Sequence, residues 1–232
     1  MIKLHFIFDK TKKAQALKKK FLKKYKNYNL KLSSTIIVAG GDGFMLNSLK
    51  KYIKYKKPFY GINCGSFGFL LNKYTHDNLE KKIKNAKKSI INPLQITSSN
   101  KKHKRNLIAV NEVSLFRQSR QTASLKLQVK NKTIIKRLIG DGVLISTPAG
   151  STAYNLSVHG PILSLNSGKL AITPISPFRP RRWKGKIISN KLSIKLTNLD
   201  PKKRPVAAVA DNIEIRNITS LIIKIKKNIN LI

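Results

Sequence analysis

"STIIVAGGDGFM", residues 34 to 45, carries a β-branched run into two glycines, an aspartate and a third glycine. Residues 34 to 39 have the length and composition of a buried strand. In "GDGFMLNSLKKYIKY" the apolar Met45, Leu49 and Ile53 then fall in line at helical spacing. A strand that turns through glycine into a helix is the unit of an open parallel α/β sheet, whose ligands sit at the carboxyl ends of the strands. Glycines there permit positive φ and close backbone approach, and the N–H groups of a helix start attract anions. Asp42 runs against that pattern, because a carboxylate repels a bare phosphate. It serves either as a plain helix N-cap or as a group that handles a hydroxyl or a cation beside the phosphate. The stretch alone does not choose.

Outward from this turn, residues 1 to 9 read as a strand and 11 to 25 as a basic amphipathic helix, with Ala14, Leu17, Phe21 and Leu22 on one face. "PFYGIN" is strand-like, and residues 75 to 89 read as a helix capped by Thr75 or Asp77. Past "INPLQI" the texture changes to short alternating segments such as "SLKLQVKN", "KLSIKLTN" and "LIIKIKK". The expected fold is an α/β N-terminal domain with a Rossmann-like parallel sheet over 1–92, then a mostly β domain over 93–215. The proline-rich stretch 173 to 185 is expected to be a loop and not a central element.

Composition bounds the function classes. Forty-eight Lys and Arg stand against nine Asp and Glu, a formal net charge of +39. Such a balance suggests polyanion binding, yet the basic residues are spread along the whole chain and interleaved with Ile and Asn. A solvated surface with weak, unspecific polyanion affinity is the expectation. Cys64 is the only cysteine, which excludes a disulfide and a Cys-based zinc site. The four histidines (His5, His76, His103 and His159) show no metal-ligand spacing. The short apolar start meets Asp9 and Lys10 at once, unlike a signal peptide. A cytoplasmic chain with no membrane partner is expected.

Two more glycine motifs follow the first. "YGINCGSFGFL" (60 to 70) is another strand running into a glycine-rich turn; packing alone explains it equally well, and does so better for Cys64. "GDGVLISTPAGSTAYNLSVHGPI" (140 to 162) sets many small hydroxyls and glycines beside Asp141, which suits hydrogen bonding to sugar and base edges. In "AVNEVSLFR" (109 to 117), Asn111 and Glu112 interrupt an apolar strand, one on each face, so at least one should meet a ligand or a buried partner. Asp42, Glu112 and Asp141 all fall in these motifs, three of the nine acids. Neither the phosphate loop G-x-x-x-x-G-K-[ST] nor the fingerprint G-x-G-x-x-G is present.

Together "GGDG" (40 to 43), "GINCGSFGFL" (61 to 70), "NE" (111 to 112) and the long third motif resemble, in the same order, the motifs of the NAD kinase family. The similarity covers roughly residues 30 to 215. It implies phosphorylation of the adenosine ribose 2′-hydroxyl of NAD to give NADP. Asp42 is implied as proton acceptor for that hydroxyl, with Gly43 beside the ribose and Asn111 and Glu112 holding the adenosine portion. Asp141 and Ala149 are implied to contact NAD further along, while Thr152, Ala153, Tyr154, Asn155, Leu156 and Ser157 line the adenine and ribose pocket. The resemblance also implies a divalent cation, Mg²⁺ arriving with ATP, and NAD and ATP as substrates. It further implies a homodimer or homotetramer, and a segment 216–232 that packs back on the first domain. The donor stays open between ATP and polyphosphate.

The departures are His159 before Gly160 where the family usually has Gly, Ala149 for a frequent Thr, and Phe44 for the usual Thr. Asp211-Asn212 replaces a later Asp-Gly, so no role is carried there. A basic nucleic-acid-binding protein and a lipid kinase sharing GGDG are the alternatives. The first leaves the glycine motifs unexplained, and the second would lack the Asn-Glu pair and the hydroxyl-rich motif.

Overall fold

A computed structural model of the chain describes residues 2–66, 68–75, 78–100, 103–226 and 229–232. The first elements alternate: β1 (Leu4–Phe8), α1 (Lys12–Lys24), β2 (Thr35–Gly40), α2 (Asp42–Tyr52), β3 (Phe59–Asn63), β4 (Asn72–Lys73), α3 (Leu79–Asn85) and β5 (Ser89–Ile91). α1 is held at its start by the Thr11 hydroxyl, which accepts the Ala14 amide. It buries Ala14, Leu17 and Phe21, whereas Leu22 is exposed, so the expected stripe is one residue narrower. α2 ends in a single 3₁₀ turn over Ile53–Tyr55 that leaves Ile53 only half-buried.

The third helix starts later than the sequence suggested. Its cap is Asn78, whose side chain accepts the Glu80 and Lys81 amides, and it runs only to Asn85. Asp77, one of the two expected caps, lies outside the described residues, as does His76.

The second run is β6 (Leu94–Ser99), β7 (Lys104–Ala109), β8 (Glu112–Arg117), β9 (Ala123–Val129), β10 (Lys132–Gly140), β11 (Gly142–Ser146), α4 (Tyr154–Ser157), β12 (Lys169–Ile175), β13 (Lys186–Ser189), β14 (Ile194–Asn198), β15 (Val206–Ala210), β16 (Ile213–Ile215) and β17 (Ser220–Ile225). A last strand, β18 (Ile229–Leu231), closes the chain. The chain divides into one unit of 1–91 with 229–232 and another of 92–228. Of the segment 216–232 expected to return, only Ile229–Ile232 joins the first unit. β17 stays in the second because its alternating apolar residues pair along the full length of β6.

In the first unit the strand order is β1-β2-β3-β18-β5, with β4 beside β3. The pairs β1–β2, β2–β3, β3–β4 and β3–β18 are parallel, and β18–β5 is antiparallel. Leu4, Phe6, Ile37, Ala39, Tyr60 and Ile62 of the sheet pack with Leu17 and Phe21 of α1 and Leu79 and Ile83 of α3. Every residue of β2 is buried, as a central strand covered on both faces requires.

The second unit is two antiparallel sheets, β10-β9-β14-β17-β6-β7 and β13-β12-β11-β8-β15-β16. Their facing side chains, among them Ile96, Leu127, Leu196 and Ile223 from one and Val113, Leu115, Val143 and Ile172 from the other, form one apolar core. The proline-rich stretch is a loop only from Ser176 onward, since Thr173, Pro174 and Ile175 belong to β12. Ile175 turns its carbonyl to Asp141 on the β11 side, so the nitrogen of Pro174 faces the opposite edge. There β13 pairs no further than Ile172, and the missing N–H breaks no ladder bond.

Candidate functional site

In the turn after β2, close packing constrains Gly40 alone. A Cβ at Gly40 would meet Cδ1 of Phe44 at 2.7 Å, while Cβ atoms at Gly41 and Gly43 would meet nothing within 4 Å. The positive φ that these glycines permit is not used here; among the described glycines only Gly168 and Gly185 have it. Gly41 occupies the helix cap, extended at φ −100°, which makes Asp42 the first helical residue and not the cap. The Asp42 carboxylate has other partners. Its Oδ2 accepts the Phe69 amide at 2.9 Å and its Oδ1 accepts the Leu70 amide at 3.2 Å. The second glycine motif thus closes onto the first within one unit, and each oxygen keeps a further lone pair for a ligand.

In the second unit, Asn111 does not interrupt a strand. β7 ends at Ala109 and β8 begins at Glu112, so the Asn-Glu pair sits where one strand passes to the next. Asp211, in the two-residue turn between β15 and β16, grips this passage. Its Oδ2 accepts the Val110 amide at 3.0 Å, and its Oδ1 accepts the Asn111 and Glu112 amides at 2.9 and 3.4 Å. In return the Asp211 amide donates to the Glu112 carbonyl at 3.0 Å.

Oδ1 of Asn111 and Oε2 of Glu112 are both buried and accept from no described residue. Burial, and secondarily the Asp211 charge, pushes the Glu112 carboxyl up to about 7.

Along β8, Val113 and Leu115 enter the core, which puts Glu112, Ser114 and Phe116 on the opposite face. A cavity of about 370 Å³ opens there, lined also by Arg117, Gln118, Tyr154, Ala207, Val209, Asp211, Glu214 and Arg216. Arg117 donates from Nε to Oδ1 of Asp141 at 2.6 Å and from its Nη1 to the Ser119 carbonyl.

The third motif is anchored through small groups. The Thr147 hydroxyl donates to the Val110 carbonyl at 2.7 Å and accepts the Gly150 amide. A Cβ at Gly150 would lie 2.2 Å from the Asn111 carbonyl oxygen, so only glycine lets this loop close on the Asn-Glu passage. Ser151 accepts the Leu163 amide at 2.8 Å. Asn155 is fully buried: Nδ2 donates to the Ser151 and Pro161 carbonyls, and Oδ1 accepts the Thr173 hydroxyl. His159, the departure from a usual glycine, takes the left-handed conformation at φ 60°.

The expected residues therefore separate. Asp42 and Gly43 belong to the first unit. In the second, Glu112 and Tyr154 line one cavity, Asn111 adjoins Glu112, and Asp141 reaches the lining through Arg117. Ala149, Thr152 and Ala153 are half-buried, and Leu156 and Ser157 are exposed on the same segment. Asn155 lies buried beneath this segment, with both polar atoms of its side chain bonded inside the protein. Asp211 was missed, for it acts on backbone about 100 positions away. Its signal was a scarce acid followed by Asn, two residue types that each favour turns and tolerate the left-handed conformation. Among the described residues no three His, Cys, Asp or Glu side chains converge to hold a metal ion. No described helix is long and apolar enough to cross a membrane.

Residues 110–227 match the family described as the ATP-NAD kinase C-terminal domain. The chain is 41% identical over 222 residues to a protein named NAD kinase from Brucella melitensis biotype 1, spanning 95% of this chain and 86% of that one. With the NAD kinase of Rhizobium meliloti it shares 44% identity over 216 residues, 93% of this chain and 84% of the relative. Its fold is similar to the crystal structure of an NAD kinase from Archaeoglobus fulgidus in complex with ATP (TM-score 0.79, 21% identity, 99% of this chain and 93% of that one). It is also similar to yeast NADH kinase complexed with NADH (TM-score 0.77, 22% identity, 86% of this chain and 61% of that one).

Proposed function

The chain belongs to the NAD kinase family, and we infer that it transfers a phosphoryl group to the 2′-hydroxyl of the adenosine ribose of NAD, making NADP. One observation in the site supports this above the rest. Two adjacent buried acceptors, Asn111 Oδ1 and Glu112 Oε2, lack donors among the described residues. Burying an acceptor without a donor costs about 1–3 kcal/mol. The ligand that relieves both must bring donors, as a ribose does with its hydroxyls. The Phe116 and Tyr154 rings in the cavity beside Glu112 offer apolar surface to the dinucleotide.

Asp42 is the proton acceptor in this proposal. The Phe69 and Leu70 amides fix its carboxylate, and its spare lone pairs take the hydroxyl hydrogen. A base at hydrogen-bond distance contributes about 10²–10⁴-fold. With no protein cage for a cation among the described residues, Mg²⁺ would be held mainly by the donor's phosphates, whose charge it neutralises. Asp141, steadied by Arg117, and Ala149 with Thr152, Ala153, Tyr154, Leu156 and Ser157 are proposed to face NAD. Asn155 is proposed to shape that segment from beneath. Ile162 and Leu165, which follow that segment, are exposed, which supports assembly into a homodimer or homotetramer.

NADP formation by the purified protein from NAD, Mg²⁺ and either ATP or polyphosphate tests the activity and chooses the donor. NAD bound but never phosphorylated with either donor would reject it.

A further inference from the structure

Asp211 occupies the turn between β15 and β16 at φ 52°, a left-handed conformation that Asp tolerates better than most residues. Its carboxylate gathers three successive N–H groups, those of Val110, Asn111 and Glu112. A single acid thereby sets the backbone of the two residues whose side-chain oxygens, Asn111 Oδ1 and Glu112 Oε2, are buried without a donor. The same turn is tied back through the Asp211 amide and the Glu112 carbonyl.

We propose that Asp211 is a positioning residue for NAD: by gripping the 110–112 backbone it presents the two acceptors to the ribose hydroxyls. The proposal rests on the kinase assignment above. In this role Asp211 acts through Asn111 and Glu112.

Charge gives it a second effect on the same residues. Asp211 is a cause, after burial, of the raised Glu112 carboxyl. The other charged or titratable groups around that cavity are Arg117 with Asp141, Glu214 with Arg216, and the Tyr154 phenol. A protonated Glu112 has lost part of its accepting capacity. NAD capture should therefore weaken as pH falls through about 7, with Asp211 helping to set where it does so.

The test compares wild type, Asp211→Asn and Asp211→Glu for KM, kcat and the pH profile of kcat/KM for NAD. Thermal melting confirms that each variant is folded. Asp211→Asn keeps the shape, removes the charge and turns one NH₂ toward an N–H. It should raise KM for NAD about tenfold, the factor that 1.4 kcal/mol corresponds to, with kcat changed less, and move the acid limb to lower pH. Asp211→Glu keeps the charge but displaces the cradle. It should raise KM while its acid limb moves less than in the Asn variant. A purely structural residue would lower melting without moving the limb. Wild-type KM and an unmoved limb in both folded variants would overturn the proposal. No NADP from the wild type would instead overturn the kinase assignment on which it rests.

Discussion

The side chain of Asn155 fills the space that a Cβ on Gly160 would need: such an atom would lie 2.2 Å from Asn155 Oδ1. Asn155 cannot easily yield, since its amide bridges Ser151, Pro161 and Thr173. Gly160→Ala is therefore expected to destabilise the chain by about 1–3 kcal/mol, the cost of forcing atoms into a packed core. A urea titration followed by circular dichroism measures it. An unshifted midpoint would mean that the loop relaxes freely around residue 160.

Asp42→Asn replaces the proposed acceptor with an amide of the same shape, and one of the Phe69 and Leu70 amides then faces an NH₂ group. Turnover should fall by about 10²–10⁴-fold, while NAD affinity, read by calorimetry, changes far less. Full turnover in the variant would remove Asp42 from the chemistry.

Glu112 links the site to stability. Its carboxyl is raised from an ordinary 4.5 to about 7, by burial first and the Asp211 charge second. The folded chain holds that proton more tightly than the unfolded chain does. The stability it contributes is complete below about pH 4.5 and is lost as pH rises through about 7. Glu112→Gln stays neutral throughout. Relative to wild type it should gain stability across that window, by ~3 kcal/mol at most, at about 1.4 kcal/mol per unit. Denaturation midpoints of the two proteins measured from pH 4 to 8 should diverge with rising pH. Parallel curves would contradict the burial of this carboxyl.

Much of the framework is legible in the sequence because it depends on local periodicity. β2 is buried throughout and reads as an unbroken β-branched run. The alternating segments of the second half become antiparallel strands around one core. What stayed hidden depends on contacts between distant positions. Pro174 enters β12 because β13 stops pairing at Ile172. Asn155 looks like a pocket residue in a hydroxyl-rich motif, but a one-turn helix has no periodicity to tell its buried side from its exposed one. Asp211 was passed over because its three partners lie about 100 positions away, on the Val110–Asn111 passage and at the first residue of β8.

The charge of +39 makes its own prediction. α1 has seven lysines and no acid along Lys12–Lys24, all seven of them exposed. Such a surface should retain DNA through phosphate contacts and release it as salt displaces them, with the logarithm of affinity falling linearly in the logarithm of salt concentration. No specific base contact is expected from lysines spread over the whole chain. Fluorescence anisotropy with two duplexes of unrelated sequence, titrated from 50 to 300 mM salt (about the range over which such contacts weaken), should give equal affinities and equal slopes. A duplex bound tightly and selectively near 150 mM would mean that the lysines form a dedicated nucleic-acid surface beside the kinase site.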